Sequence, residues 1–477
     1  DRSYTDKIPA GMGAVLVDDT VKALQDIASY YRASMDIKVI GVTGSVGKTG
    51  TSDMVKAVCS GKFKTAKTKG NFNNHIGLPL SILDFDPDTK IGILEMGMDR
   101  PGEIEFLAGI AKPDIGIITN IGTAHIEYLG SRENIFKAKM EITAYFGKDN
   151  VLIVNGDDDF LGALCDTEYR LVKVGAAGGS QVYVYNISDS AENGVEFTLE
   201  YKEKATRINL PVPGRHNAVN AALAIAAGLE AGVSVEEAAK GLQSLEFTDK
   251  RLSVKGKNGI KVIDDTYNAS PASMKAAIDV LMSAKGLRKV AILGDMFEQG
   301  KESPRYHTEV GEYASDKSVD MLIAIGDDAE YIKDGALKSM SAENVKYYKT
   351  KNEFLKEMKN IIKSGDVVLV KDQGLADNDL GAAVGCFGNG KDRSLIAVPS
   401  IHFQGGANAA VERAGLFRHQ RTGCHGADTG QIPQYDVRDG GAEGILAFLG
   451  HKGLDLRRRT TAGDLDIRAG ILHDLCR

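Results

Sequence analysis

Gly41-Val-Thr-Gly-Ser-Val-Gly-Lys-Thr49 follows an apolar, β-branched run, Lys38–Val42, and leads into a helical pattern. Strand, glycine-rich turn, then helix is the order in which backbone N–H groups and a helix N-terminus cradle phosphate. Thr43, Gly44, Ser45 and Gly47 are then loop residues, Lys48 neutralises β/γ-phosphate charge, and Thr49 offers its hydroxyl to Mg²⁺. The plainer alternative is a glycine-rich strand-to-helix turn with an incidental lysine. The spacing is short: Gly44 and Gly47 enclose two residues, where the usual loop encloses four.

Working outward, short β-branched runs alternate with helical stretches from Ile37 to Lys371. The runs are Ile91–Glu95, Ile115–Thr119, Val151–Val154, Val262–Asp264, Val290–Leu293, Met321–Ile325 and Val367–Val370. This alternation predicts an α/β protein with parallel sheets and crossover helices. Ser234 with Glu237 three residues on predicts a helix start, and the turn-like Phe247-Thr-Asp after Leu245 predicts a boundary near 246–250.

The 477 residues suffice for about three domains. With 58 basic against 65 acidic residues, the net charge of −7 argues against a general nucleic-acid or anionic-membrane binder. No apolar run reaches the roughly 18 residues of a membrane span. Five scattered cysteines without a C-x-x-C pair argue against a disulfide scaffold or zinc ribbon and for a cytoplasmic setting.

Several residues are chemical candidates on their own. Glu95 ends a strand-like run, where open α/β sheets present ligands, and its carboxylate suits the same Mg²⁺ as Thr49; standing alone it reads as a solvated strand end. His125 also follows a strand-like run, and a lone histidine there is more often an ordinary hydrogen-bonded residue. Asn71, Asn73 and Asn74 form an amide cluster that by itself reads as a turn.

Thr43–Thr49 resembles the ATP loop of the Mur ligases, which build the peptidoglycan stem peptide. The resemblance continues in family order over about residues 14–371. It is carried by Gly70-Asn-Phe-Asn-Asn-His-Ile-Gly-Leu-Pro-Leu80, Glu95-Met-Gly-Met98, Pro101-Gly-Glu-Ile104, Thr119-Asn-Ile-Gly-Thr-Ala-His125 and Ala138-Lys-Met-Glu141. Gly214-Arg-His-Asn217 with Asn220, Asp265-Thr-Tyr-Asn-Ala-Ser-Pro271 and Leu293-Gly-Asp-Met296 extend it. The Asn-Asn-x-Ile-Gly-x-Pro-Leu and Asp-x-Tyr-Asn-Ala-x-Pro segments are most similar to the D-alanyl-D-alanine-adding branch.

The resemblance implies a central P-loop ATPase domain, a parallel sheet with flanking helices, followed by a Rossmann-like C-terminal domain. Its implied divisions are 1–36, a remnant of a UDP-substrate domain and linker; 37–246, ATP-binding; 247–371, an incomplete ligase domain; and 372–477, an atypical tail. The implied reaction joins D-alanyl-D-alanine to a UDP-N-acetylmuramoyl-tripeptide through an acyl phosphate, using ATP and two Mg²⁺, in a monomer. His125 and a carbamylated Lys139 are the implied ligands of the second Mg²⁺; without the resemblance Lys139 reads as a surface helix lysine. Asn217 and Asn220 are implied near the base, and Asn71, Asn73 and Asn74 at the substrate, with His75 where many relatives carry Glu. Arg251, Asp265, Tyr267 and Asn268 are implied to close on ATP by a hinge around Ser244–Lys250. Gly50 replaces the hydroxyl residue usual after Thr49, removing one phosphate contact. The rival readings are a sister ligase adding one amino acid to a muramyl peptide or folate, a P-loop NTPase without amide synthesis, and an inactive nucleotide-binding fragment.

The two ends carry separate expectations. Ala14–Asp19 reads as a strand, and Val21, Leu24, Ile27 and Ala28 as a helix, closing a preceding domain. Up to Lys371 there are 36 Lys and 10 Arg, and beyond it 2 Lys and 10 Arg. The family typically continues after Val-Leu-Val-Lys with Gly-Ser-Arg-Gly, whereas this chain reads Val368-Leu-Val-Lys-Asp-Gln-Gly374. Deleting one G from AAG-GGA-TCA-AGG gives AAG-GAT-CAA-GG, which encodes Lys-Asp-Gln-Gly. The tail is therefore expected to be a frameshifted translation, with His419, Cys424 and His425 as accidental neighbours; a divergent native domain is the alternative.

Overall fold

The computed structural model describes residues 15–245, 252–257 and 259–372. Residues 28–372, where described, belong to one compact unit; 15–27 belong to another, to which they contribute an irregular lead and the first turns of helix α1. Two sheets organise the larger unit. The first contains β1 (Lys38–Thr43), β2 (Thr65–Lys67), β3 (Ile91–Glu95), β4 (Ile115–Ile118), β5 (Val151–Asn155), β6 (Arg170–Gly175), β7 (Val182–Ser190), β8 (Gly194–Tyr201) and β9 (Lys204–Leu210). The second contains β10 (Ser253–Lys257), β11 (Ile260–Asp265), β12 (Arg288–Gly294), β13 (Met321–Ile325), β14 (Val345–Tyr348) and β15 (Asp366–Lys371).

The helices are α1 (Thr20–Ser34), α2 (Lys48–Ser60), α3 (Gly77–Leu83), α4 (Glu103–Ala111), α5 (Ile126–Leu129) and α6 (Arg132–Met140). They continue with α7 (His216–Glu230), α8 (Val235–Leu242), α9 (Pro271–Ser283), α10 (Ser303–Asp316), α11 (Ala329–Ala336) and α12 (Lys351–Ile361).

The first sheet runs β2-β3-β1-β4-β5-β6-β7-β8-β9, parallel from β2 to β7 and antiparallel through β7-β8-β9. The second runs β10-β11-β15-β12-β13-β14, parallel except for β10 against β11. The α/β expectation holds, but the sheets are mixed. The β7–β9 strands alternate polar and apolar residues, which suits a meander with one face on the core rather than a continuously apolar buried strand. The strand expected over Ala14–Asp19 is not formed in its described part: Asp19 Oδ1 accepts from the N–H groups of Val21 (2.8 Å) and Lys22 (3.0 Å) and caps α1 instead.

Burial explains the central strands. Ile263, Leu293 and Leu369 pack with Met274, Ile278 and Val310 on one face of the second sheet. Their neighbours Val262, Ile292 and Val370 pack with Phe354 and Met358 on the other. Alternate side chains point to opposite faces, so a strand covered on both sides is apolar throughout. In the first sheet Val42, Ile93, Ile117 and Ile153 bury against Met54 and Val58 of α2 and Leu223 of α7. Helix starts use local chemistry: Ser234 with Glu237 and Ser270 with Ser273 form capping boxes, the latter with Pro271 in the first turn. Among the described residues no helix is long and apolar enough to cross a membrane.

Candidate active site

Strand order builds the site. β1 lies between β3 and β4, so the loop leaving β1 is flanked by the carboxyl ends of both. Val42 pairs in register with Glu95, and Thr43 with Ile118. This places Glu95 on one side of the phosphate loop and Thr119-Asn120 on the other, at the edge where open α/β sheets bind ligands. Gly44 has φ +147°, and a Cβ there would lie 1.9 Å from Thr119 Oγ1, so the loop's approach to β4 requires glycine.

Thr49 Oγ1 donates to Glu95 Oε2 at 2.6 Å, and both residues are buried. Asn73 Nδ2 donates to Glu95 Oε1 at 2.9 Å, and Thr68 Oγ1 accepts from Glu95 N at 3.0 Å. A buried carboxylate beside a hydroxyl is an all-oxygen pair suited to Mg²⁺, so the residues fit that ion. Thr43 Oγ1 donates to the Met96 carbonyl (2.9 Å), tying the start of the loop to the residue after Glu95. Lys48 Nζ donates to the Gly44 carbonyl at 2.9 Å, across the loop it serves.

Lys139 is 2% exposed, whereas Lys137, two residues earlier on α6, is exposed. Burial, with Lys48's ammonium adding to it, holds the Lys139 amine well below the ordinary lysine range. Lys139 forms no salt bridge with a carboxylate among the described residues. Burial disfavours the ammonium, and the uncharged amine is the form that reacts with CO₂; a carbamate there would in turn need nearby cationic charge to offset its own burial.

His125 caps α5 with a left-handed backbone (φ 61°). Its Nδ1 lies 2.6 Å from Glu298 Oε2 and 3.3 Å from Asp99 Oδ1. Burial raises the Asp99 pKa; Glu298 adds to the rise and His125 opposes it. Among the described residues no three His, Cys, Asp or Glu side chains converge as a metal cluster.

Asn217 and Asn220 are buried on the first turns of α7; Asn217 Nδ2 donates to the Pro213 carbonyl (2.6 Å), and Asn220 lies against Gly47. The substrate-loop asparagines separate. Asn73 reaches Glu95, Asn74 Oδ1 accepts from the N–H groups of Ile76 (3.2 Å) and Gly77 (2.8 Å) at the start of α3, and Asn71 is exposed. His75 is exposed and Gly50 is buried in α2. In the second sheet Asp265 Oδ2 meets Lys371 Nζ at 2.6 Å, and Lys371 also donates to the Asn268 carbonyl at 2.9 Å. Tyr267 is 43% exposed, and Asn268 Oδ1 accepts from the Ala269 N–H (2.8 Å). Arg251, residues 246–250 of the expected hinge, and the tail from 373 lie outside the described residues.

Sequence reasoning passed over Thr68, Asp99, Asn120, Glu298 and Lys371. Asn120 and Lys371 had a usable signal, since each stands at the carboxyl end of a β-branched run, as Glu95 does.

Two family models match the chain. The Mur ligase middle domain model matches residues 42–228 and the Mur ligase glutamate ligase domain model matches 250–374. The chain belongs to the Mur ligase family of ATP-dependent peptide ligases. Among its relatives, UDP-N-acetylmuramoyl-tripeptide--D-alanyl-D-alanine ligase of Bacillus subtilis (strain 168) is 42% identical over 373 residues, 78% of this chain and 80% of the relative. The same-named enzyme of Escherichia coli (strain K12) is 33% identical over 65% of this chain and 70% of its own length. A crystal structure of MurF from Acinetobacter baumannii superimposes with a TM-score of 0.70 at 32% identity, covering 77% of this chain and 80% of that one. MurF ligase from Thermotoga maritima in complex with ADP gives 0.66 at 29% identity, over 75% and 81%.

Proposed function

We propose that this chain joins D-alanyl-D-alanine to a UDP-N-acetylmuramoyl-tripeptide at the expense of ATP, as the enzymes it resembles are named for doing. The observation that carries the reading within the family's chemistry is the buried Thr49–Glu95 pair at the phosphate loop, 2.6 Å apart, together with the fully buried Lys139. A carboxylate is a poor electrophile because it would have to expel oxide. Phosphorylation converts that oxygen into a phosphate leaving group, and the amine of the dipeptide then attacks the acyl carbon.

Lys48 offsets negative charge on the transferring phosphoryl group, and the N–H groups at the start of α2 face the same anion. Thr49 and Glu95 are the residues to hold one Mg²⁺, with His125 and a carbamate on Lys139 serving a second; the ions supply charge neutralisation of the phosphate oxygens. Asn73 fixes Glu95 from the side away from Thr49, which keeps the carboxylate aimed at the loop. Asp265 and Lys371 present a paired charge from the second sheet, and Arg251 is assigned to the same ATP-facing group. The muramyl tripeptide and the dipeptide are the partners, with no nucleic acid or membrane, and the chain acts as a cytoplasmic monomer.

The test is the substrate dependence of ADP release. Release that needs both the muramyl tripeptide and D-alanyl-D-alanine supports the assignment. Release supported instead by a single amino acid moves the chain to a sister activity, and release indifferent to both substrates makes it a plain NTPase.

A further inference from the structure

The phosphate loop is two residues short, yet it is held at more points than its own backbone provides. Asn120, the second residue past β4, grips the peptide of Val46 from both sides. Its Oδ1 accepts from Val46 N at 3.0 Å and its Nδ2 donates to the Val46 carbonyl at 2.8 Å. Its own carbonyl accepts from Ser45 N at 3.0 Å. Thr119 Oγ1 adds a bond to the Val46 carbonyl at 2.6 Å, and Ser45 Oγ accepts from Gly122 N at 2.8 Å.

These bonds have a consequence for phosphate. The Ser45 and Val46 N–H groups are spent on Asn120 and so are not left to donate to an anion. Gly47, Lys48 and Thr49, at the helix start, have N–H groups with no intrahelical acceptor, because the first turn of any helix lacks one. A longer loop can wrap phosphate with successive N–H groups. Here the Asn120 amide instead braces the backbone of the short loop from outside it.

We infer that Asn120 is a positioning residue for nucleotide: its side-chain amide sets the Val46 peptide so that the Gly47–Thr49 N–H groups and Lys48 meet the phosphates. This rests on the phosphate loop being the ATP site. Asn120 itself touches no reacting atom. The nearly isosteric Asn120→Asp keeps an acceptor for Val46 N but sets a carboxylate oxygen against the Val46 carbonyl, and Asn120→Ala removes both bonds.

The experiment is calorimetric titration of the full chain with Mg²⁺ and ADP, alongside steady-state kinetics. Asn120→Asp and Asn120→Ala are each expected to weaken ADP binding by about tenfold or more at unchanged stoichiometry. The KM for ATP rises in parallel, while the KM for D-alanyl-D-alanine stays put. A merely structural role would instead lower the stoichiometry and leave the affinity of the folded fraction alone. Thr119→Val, which deletes one bond, should weaken binding by a smaller factor and serves if the Asn120 variants do not fold. Wild-type ADP affinity in a folded Asn120 variant, or in Thr119→Val when no Asn120 variant folds, overturns the inference. Lys48→Ala separates the two layers. If it loses ADP while Asn120 variants do not, only the positioning role fails; if it too binds ADP normally, the loop assignment fails with it.

Discussion

Lys137 and Lys139 stand two residues apart on α6, and their fates differ completely: one is exposed, the other 2% exposed. Composition does not distinguish them, since a lysine is normally a surface residue, although Lys139, four residues after Ile135 and three before Ile142, falls on the buried side of the helix. Only the Ala-Lys-x-x position within the family singled out Lys139. Carbamylation requires the neutral amine, and burial favours that form by holding the pKa well below the ordinary lysine value. Lowering the pH protonates the amine and should discharge the carbamate. The expected result is a carbamate carbon signal in ¹³C NMR after incubation with ¹³C-bicarbonate, absent from Lys139→Ala and lost on acidification. That variant should also lose ligase activity and recover part of it with a small added carboxylate. Full activity without the additive would remove the residue from the mechanism. Asn74 shows the opposite limit: its amide reads as substrate-facing in the motif, yet its side-chain oxygen is used to start α3.

At the scale of elements, the β-branched runs announced the strands that form the site, and several boundaries match within a residue. Ile91–Glu95 and Met321–Ile325 coincide with β3 and β13. Strand order is another matter. That β1 lies between β3 and β4 depends on long-range pairing, and no local run of residues encodes it. Thr68 was passed over for this reason: its role appears only once neighbouring strand ends are brought together. The β7–β9 meander was also missed, because its half-polar alternation lacks the continuous β-branched run of a doubly buried strand. The Thr49–Glu95 pair joins the N-terminus of α2 to the end of β3, and it predicts a metal effect. Glu95→Gln keeps size but removes the charge and one of the two acceptor oxygens. Half-maximal activity should then require about tenfold more Mg²⁺, with the thermal midpoint little changed. An unaltered Mg²⁺ titration would show that Glu95 does not serve the ion.

Across the larger unit, the β7–β8 hairpin and the α5 region meet the second sheet's domain through apolar contacts, Ala191 buried in its core and Ile126 packed against it, and through polar ones. Glu192, between β7 and β8, accepts from Lys261 Nζ at 2.6 Å and from Lys285 N at 2.8 Å. Glu298, after β12, reaches His125 at 2.6 Å, and its carbonyl accepts from Glu127 N at 3.3 Å. Asp265 and Lys371 pair in register at the carboxyl edge of the second sheet, as Val42 and Glu95 do in the first. The sequence announced two α/β regions and most of the residues at these edges; the pairing of Glu298 with His125 needed three-dimensional proximity. In the proposed reaction phosphate leaves from an acyl phosphate rather than by hydrolysis of ATP. The most direct measurement supplies UDP-N-acetylmuramoyl-tripeptide labelled with ¹⁸O in its terminal carboxylate, together with ATP, Mg²⁺ and D-alanyl-D-alanine, and reads the released phosphate by mass spectrometry. Transfer of one labelled oxygen to each phosphate, in step with pentapeptide formation, is the predicted result; unlabelled phosphate released at the same rate without the dipeptide would contradict it.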